Sequence, residues 1–124
     1  MPFQLIVHHP DRLVIGRATG EVTISDVVAF ARDIMKDGMV HYRKVLDVID
    51  ARPAFNELEL RAMATVARQT RTARRRGPVA FVVEPGRGEF ARLFSELQIA
   101  DRPAQVFTSI HEARKWLAQM PVED

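Results

Sequence analysis

The adjacent pair His8-His9, the aspartate Asp47 set in an apolar run, the turn Pro85-Gly86-Arg87-Gly88-Glu89 and the arginines Arg68, Arg71, Arg74, Arg75 and Arg76 are where this chain could concentrate side-chain chemistry. Two histidines begin a metal site, but neighbours at a strand end point to opposite faces, and neither His41 nor His111 stands at ligand spacing to them. No metal is expected. The turn at 85–89 follows an apolar run and opens a helical pattern, a place where free backbone N–H groups favour an anion. It lacks the full glycine-rich fingerprint and a Walker lysine, which favours a plain turn. Arg68, Arg71 and Arg75 share a helix face that could meet phosphates. No aromatic residue interleaves with them, and cations at a helix C-terminus are favourable against the macrodipole, so nucleic-acid binding is not expected.

Asp47 is the most informative acid, because a carboxylate between apolar neighbours must find a partner or have its pKa raised. The other carboxylates show no catalytic pairing, and the serines stand at helix-cap positions. The chain has no cysteine, which removes thiolate nucleophiles, thiolate metal sites and disulfides and is compatible with a reducing cytoplasm. The expectation is a non-catalytic protein with no cofactor.

The elements that must position these residues come from a chain of 124 residues, 47% hydrophobic and 27% charged, which fits one domain, 1–124, around a two-layer core. The N-terminal apolar run is too short for a signal peptide and no run reaches membrane-spanning length, so a cytoplasmic protein with no membrane contact is expected. A pI near 9.5 accompanies a formal net charge of only +2, because arginine dominates the basic residues and lifts the pI without creating a strong field.

Residues 3–7 alternate as a strand, His8-His9-Pro10-Asp11 turns the chain, and 12–19 returns as a second, antiparallel strand that Gly20 closes. Thr23 and Ser25 are hydroxyl N-cap candidates for a first helix with Val27, Phe30, Ala31 and Ile34 inward, ended by Asp37-Gly38. Residues 44–49 leave little room for a polar face and suit a central strand buried on both sides. A proline-broken loop follows. Asn56 as N-cap then puts Glu59 in capping-box position and Phe55 and Leu60 in the positions of a hydrophobic staple. The second helix carries Leu60, Met63, Ala64 and Ala67 inward and stops before Gly77-Pro78. A strand at 79–83, a third helix over about 89–97, a strand at 104–107 and a fourth helix capped by Ser109 with Glu112, burying Ala113, Trp116 and Leu117, complete the order. The expected fold is α/β: a mixed, mostly parallel five-stranded sheet with four helices, beginning with an antiparallel β-hairpin, with 44–49 and 79–83 as neighbouring central strands.

Gly20-Glu21-Val22-Thr23 after a strand, Lys44-Val45-Leu46-Asp47-Val48, Val79-Ala80-Phe81-Val82-Val83 and Val106-Phe107-Thr108-Ser109 with Ala113, Trp116 and Leu117 resemble STAS domains, the sulphate-transporter and anti-sigma-factor-antagonist modules, and among them the SpoIIAA-like branch. The resemblance covers nearly the whole chain in element order. It implies a module for protein interaction or ligand sensing, usually without catalysis, and an aspartate at the position of Asp47 belongs to the family pattern. In the switchable antagonists an Asp-Ser pair opens the helix after the central strand, and the serine is phosphorylated. Phe55-Asn56 stands there in this chain, so the resemblance does not extend to the phosphorylation switch.

Two functions follow as expectations. An interaction module would dock a partner protein around residues 51–58 and the first turns of the second helix, with Arg52, Phe55 and Asn56 in the contact. A small-molecule or lipid-binding domain would instead use a crevice at the carboxyl ends of the two central strands, with Arg52 and Arg87 as anion anchors beside Gly86. The apolar outer strands 3–7 and 104–107 leave edges that a homodimer could cover.

Overall fold

A computed structural model describes residues 3–69, 77–86 and 104–120. Five strands, β1 (Phe3–His8), β2 (Leu13–Val22), β3 (Arg43–Pro53), β4 (Val79–Val82) and β5 (Ala104–Phe107), form one sheet in the order β1-β2-β3-β4-β5. β1 is antiparallel to β2, and every other neighbouring pair is parallel. The hairpin, the parallel majority and the adjacency of β3 and β4 away from either edge are as the sequence predicts. Three helices lie among the described residues, α1 (Ile24–Lys36), α2 (Glu57–Gln69) and α3 (Ile110–Ala118), against the four expected. The predicted helix at 89–97 lies outside the described residues.

Each helix begins where the sequence provides a cap. Thr23, not Ser25, caps α1: its Oγ1 accepts from the Asp26 N–H at 3.2 Å while the Thr23 N–H donates to Asp26 Oδ2 at 2.9 Å. At the other end Gly38, with φ of +71°, lets the Gly38 and Met39 N–H groups donate back to the Met35 and Ile34 carbonyls at 3.2 and 3.0 Å, a Schellman stop that glycine alone adopts without strain. Ser109 Oγ accepts from the Glu112 N–H at 3.4 Å to start α3.

The sheet is covered on both faces. On one face Phe30 and Ile34 of α1 pack with Val14 and Met39, and Val79, Phe81 and Val83 pack with Leu46, Val48 and Val106. α2 lies beside α1. Gly16 is what lets α1 approach: a Cβ there would stand 3.1 Å from both Leu46 Cδ2 and Phe30 Cε2, and the Phe30 ring also stacks on Phe3 at 4.6 Å. Ala31, expected inward, is exposed, because the inward arc of α1 is centred on Phe30 and Ile34. On the opposite face Ala113 and Leu117 of α3 pack on Leu13, Val45, Ala80 and Val82.

Lys44 opens β3 with its side chain buried, and its ammonium donates to the Val40 and Tyr42 carbonyls at 2.8 Å each. A charged group at a buried strand start thus ties the α1–β3 connection to the sheet, since burial of the ammonium demands acceptors at hand.

Candidate functional site

The place where β3 leaves the sheet is set by a register change. β2 and β3 pair Arg17 with Asp47 and next Thr19 with Asp50, so Val48 and Ile49 together oppose Ala18 alone. This is a β-bulge in β3, a device that leaves one residue without its ladder partner. The Ile49 N–H of the bulge donates to Asp47 Oδ1 at 3.2 Å. Asp47, half-buried, therefore has the partner that its apolar neighbours in the sequence require of it. Arg17 and Asp50 close over the irregularity as an exposed ion pair at 3.0 Å.

β4 pairs with β3 only as far as Val82, opposite Asp47. β1 pairs with β2 as far as Ala18, and from Thr19 on, among the described residues, β2 and β3 run as a two-stranded parallel ribbon, with Gly20 opposite Ala51, Glu21 opposite Arg52 and Val22 opposite Pro53. Two expectations change accordingly: β2 does not close at Gly20 but passes through it, at φ of +72°, and the stretch expected as a proline-broken loop is strand up to Pro53. Proline is tolerated because it takes the last ladder position, and the next N–H, that of Ala54, closes on the Val22 carbonyl at 2.7 Å.

The ribbon delivers the chain to the start of α2. There the Glu59 N–H donates to Asn56 Oδ1 at 2.8 Å and the Asn56 N–H donates to Glu59 Oε1 at 3.1 Å, the complete capping box that the sequence predicts. Phe55 before the cap is half-buried and Leu60 after it is fully buried, the two residues of the expected staple. Arg61 reaches back one turn to Glu57 at 3.0 Å. The cap fixes where α2 begins and hence which side chains face water.

Leu58 is 76% exposed and Val66 is 63% exposed, with Ala62, also exposed, between them at helical spacing. Leu58 lies two residues, about 200° of helix rotation, from the buried Leu60, and successive steps of four residues turn the line by about 40° each, so the three form a ridge that starts opposite the core face of α2 and runs round to its flank at Val66. Glu57, Glu59 and Arg61 flank the ridge. The docking segment expected from the sequence, residues 51–58 and the first turns of α2, includes Leu58 and Ala62 but does not single out the ridge or extend to Val66, although the spacing of Leu58, Ala62 and Val66 carries that signal.

Among the predicted site residues, Phe55 and Asn56 adjoin this ridge, and Arg52 stands exposed on the ribbon that leads to it. Gly86, with φ of +82°, sits in the turn that follows β4, on the far side of the point where β3 and β4 part. Arg87 and arginines 71–76 lie outside the described residues, as does the Arg68 side chain. Three of the four histidines are engaged locally: His8 Nδ1 is 3.0 Å from Asp11 Oδ2, His9 Nδ1 is 2.8 Å from the Tyr42 hydroxyl, and buried His41 meets the Tyr42 ring edge-on at 4.9 Å. Among the described residues no helix is long and apolar enough to cross a membrane.

No family model and no curated protein matches the sequence. The architecture does have a counterpart in a crystal structure of an uncharacterised DUF3478-family protein from Shewanella loihica PV-4, itself described as having a SpoIIAA-like fold; the two superpose with a TM-score of 0.60 over 93% of this chain and 91% of that one, at 12% sequence identity. The fold is SpoIIAA-like. The likeness is one of fold, while at 12% identity the side chains displayed on that fold belong to this chain.

Proposed function

We propose that this SpoIIAA-like chain is a non-catalytic interaction module that docks a partner protein on the outward ridge of α2. The observation that carries the reading is the exposure of Leu58 and Val66 on a helix whose start is fixed by a full capping box. An amphipathic surface helix places charged or polar residues opposite its core face. Here an apolar line, Leu58, Ala62 and Val66, crosses the outward side of the helix, and an apolar ridge with a charged rim is what a protein interface requires at its centre and its edge. Asn56 supports the same reading. It holds the helix start permanently, so the ridge is presented in one state, without a serine hydroxyl to be modified at this position.

The test is site-specific photo-crosslinking in the host cell, with a photoreactive residue at Leu58 and, as control, at Arg114 on α3. The expected result is a discrete protein adduct from Leu58, absent from Arg114 and abolished by Val66→Glu in the same chain, with thermal stability unchanged. Native mass spectrometry of chain purified from its host separates the small-molecule reading, which requires a bound adduct of low mass. Identical adducts with and without Val66→Glu would exclude the α2 ridge as the docking site.

A further inference from the structure

We propose that two copies of this chain associate through β1, joining edge to edge and antiparallel about a twofold axis perpendicular to the sheet, so that two five-stranded sheets become one. The inference stands apart from the α2 ridge and uses different residues. β1 ends the strand order, and among the described residues no strand pairs with its outer edge. Edge strands in soluble proteins are commonly blunted by a charged side chain, a proline, a bulge or a short length. β1 has six residues, FQLIVH, in unbroken register with β2 from Phe3 opposite Ala18 to His8 opposite Leu13, with no proline in it and no charge from Phe3 to Val7. Leu5 and Ile6 alternate to opposite faces and are 37% and 66% exposed.

The chemistry of the strand selects a second copy as the occupant. A twofold axis brings each side chain against itself or a near neighbour, so a self-pairing strand must carry no charge at its centre, where like charges would face each other. Residues 3–7 meet that condition. The opposite edge, β5, offers four residues among those described.

The symmetry also restricts the register. An axis perpendicular to the sheet keeps each face with its counterpart, so paired residues must point to the same face and the axis must pass through a residue. An axis at Leu5 pairs 3–7 with its copy, and an axis at Ile6 pairs 4–8. Because a strand pair of this length buries less than a standard interface, the dimer is weak and its population depends on concentration.

Sedimentation velocity of the full chain from low micromolar to near-millimolar concentration is expected to show the mass rising from one chain towards two. Ile6→Lys should hold the mass at one chain throughout, with an unchanged far-ultraviolet spectrum and melting temperature because Ile6 is exposed. The absence of cysteine provides a second readout: of the single variants Leu5→Cys and Ile6→Cys, the one on the axis should form an interchain disulfide on mild oxidation, since directly opposed antiparallel residues lie within disulfide reach. Leu58→Cys is the control and should remain a single chain. The proposal is overturned if the wild-type chain keeps a single-chain mass at the highest concentration, if Ile6→Lys dimerises as the wild type does, or if Leu58→Cys crosslinks as readily as both β1 variants.

Discussion

Asn56 joins two backbone N–H groups to side-chain oxygens within four residues, and the whole exposed ridge of α2 is phased by that one junction. Replacing it with alanine removes the acceptor for the Glu59 N–H and should lower unfolding free energy by about 1 kcal/mol, while Asn56→Ser should stay within a few tenths of the wild type because serine caps about as well. Urea unfolding of the three proteins measures both differences. An alanine variant as stable as the serine one would show that the box does not hold the start of α2. Asp47 is the instructive contrast at this scale. Its partner is the amide of a bulge, and the bulge exists only because two strands fall out of step; the sequence reveals an acid in need of a partner, but not which one.

At the level of elements, the junctions decide more than the strands themselves. Gly77 reads in the sequence as a helix terminator, yet its backbone passes so close to the α1–β3 connection that a Cβ would collide with the Tyr42 carbonyl oxygen and come within 2.6 Å of that of His41. Its N–H donates to the Val40 carbonyl at 2.9 Å, and the Lys44 N–H donates to the Pro78 carbonyl at 2.9 Å. Neither side of that contact is a flexible side chain, so Gly77→Ala should cost about 3 kcal/mol or more, or prevent folding, which chemical denaturation will report. A change below about 1 kcal/mol would mean that the two connections can separate freely. Helix starts and strand cores were legible in the sequence because caps and apolar runs are local signals, as Thr23, Asn56 and Val79 to Val82 illustrate. The extension of β3 to Pro53 was not, because it depends on β2 remaining in register as far as Val22. The close approach at Gly77 was hidden for the same reason: it is a contact between segments more than thirty residues apart, and nothing near Gly77 encodes it.

On the scale of the whole molecule, one sheet separates two apolar layers that the chain builds from different segments. One layer contains Val14, Ile34 and Met39 with Tyr42 against it; the other contains Val45, Val82 and Leu117 with Phe107 and Trp116. Both layers share the backbone of β2 and β3, so they should lose structure together. Trp116 and Tyr42 are the chain's only tryptophan and only tyrosine, and they fall on opposite sides of that sheet, the indole tilted on Phe107 at 5.7 Å and the phenol bonded to His9. The protein therefore carries two native chromophores, one for each layer. Tryptophan emission and tyrosine absorbance followed through a single thermal melt are expected to give superimposable transitions, and a separation of the two midpoints would show that the layers melt as independent units. The optical spectrum of the unlabelled chain thus resolves which side of the sheet any ligand, partner or substitution disturbs.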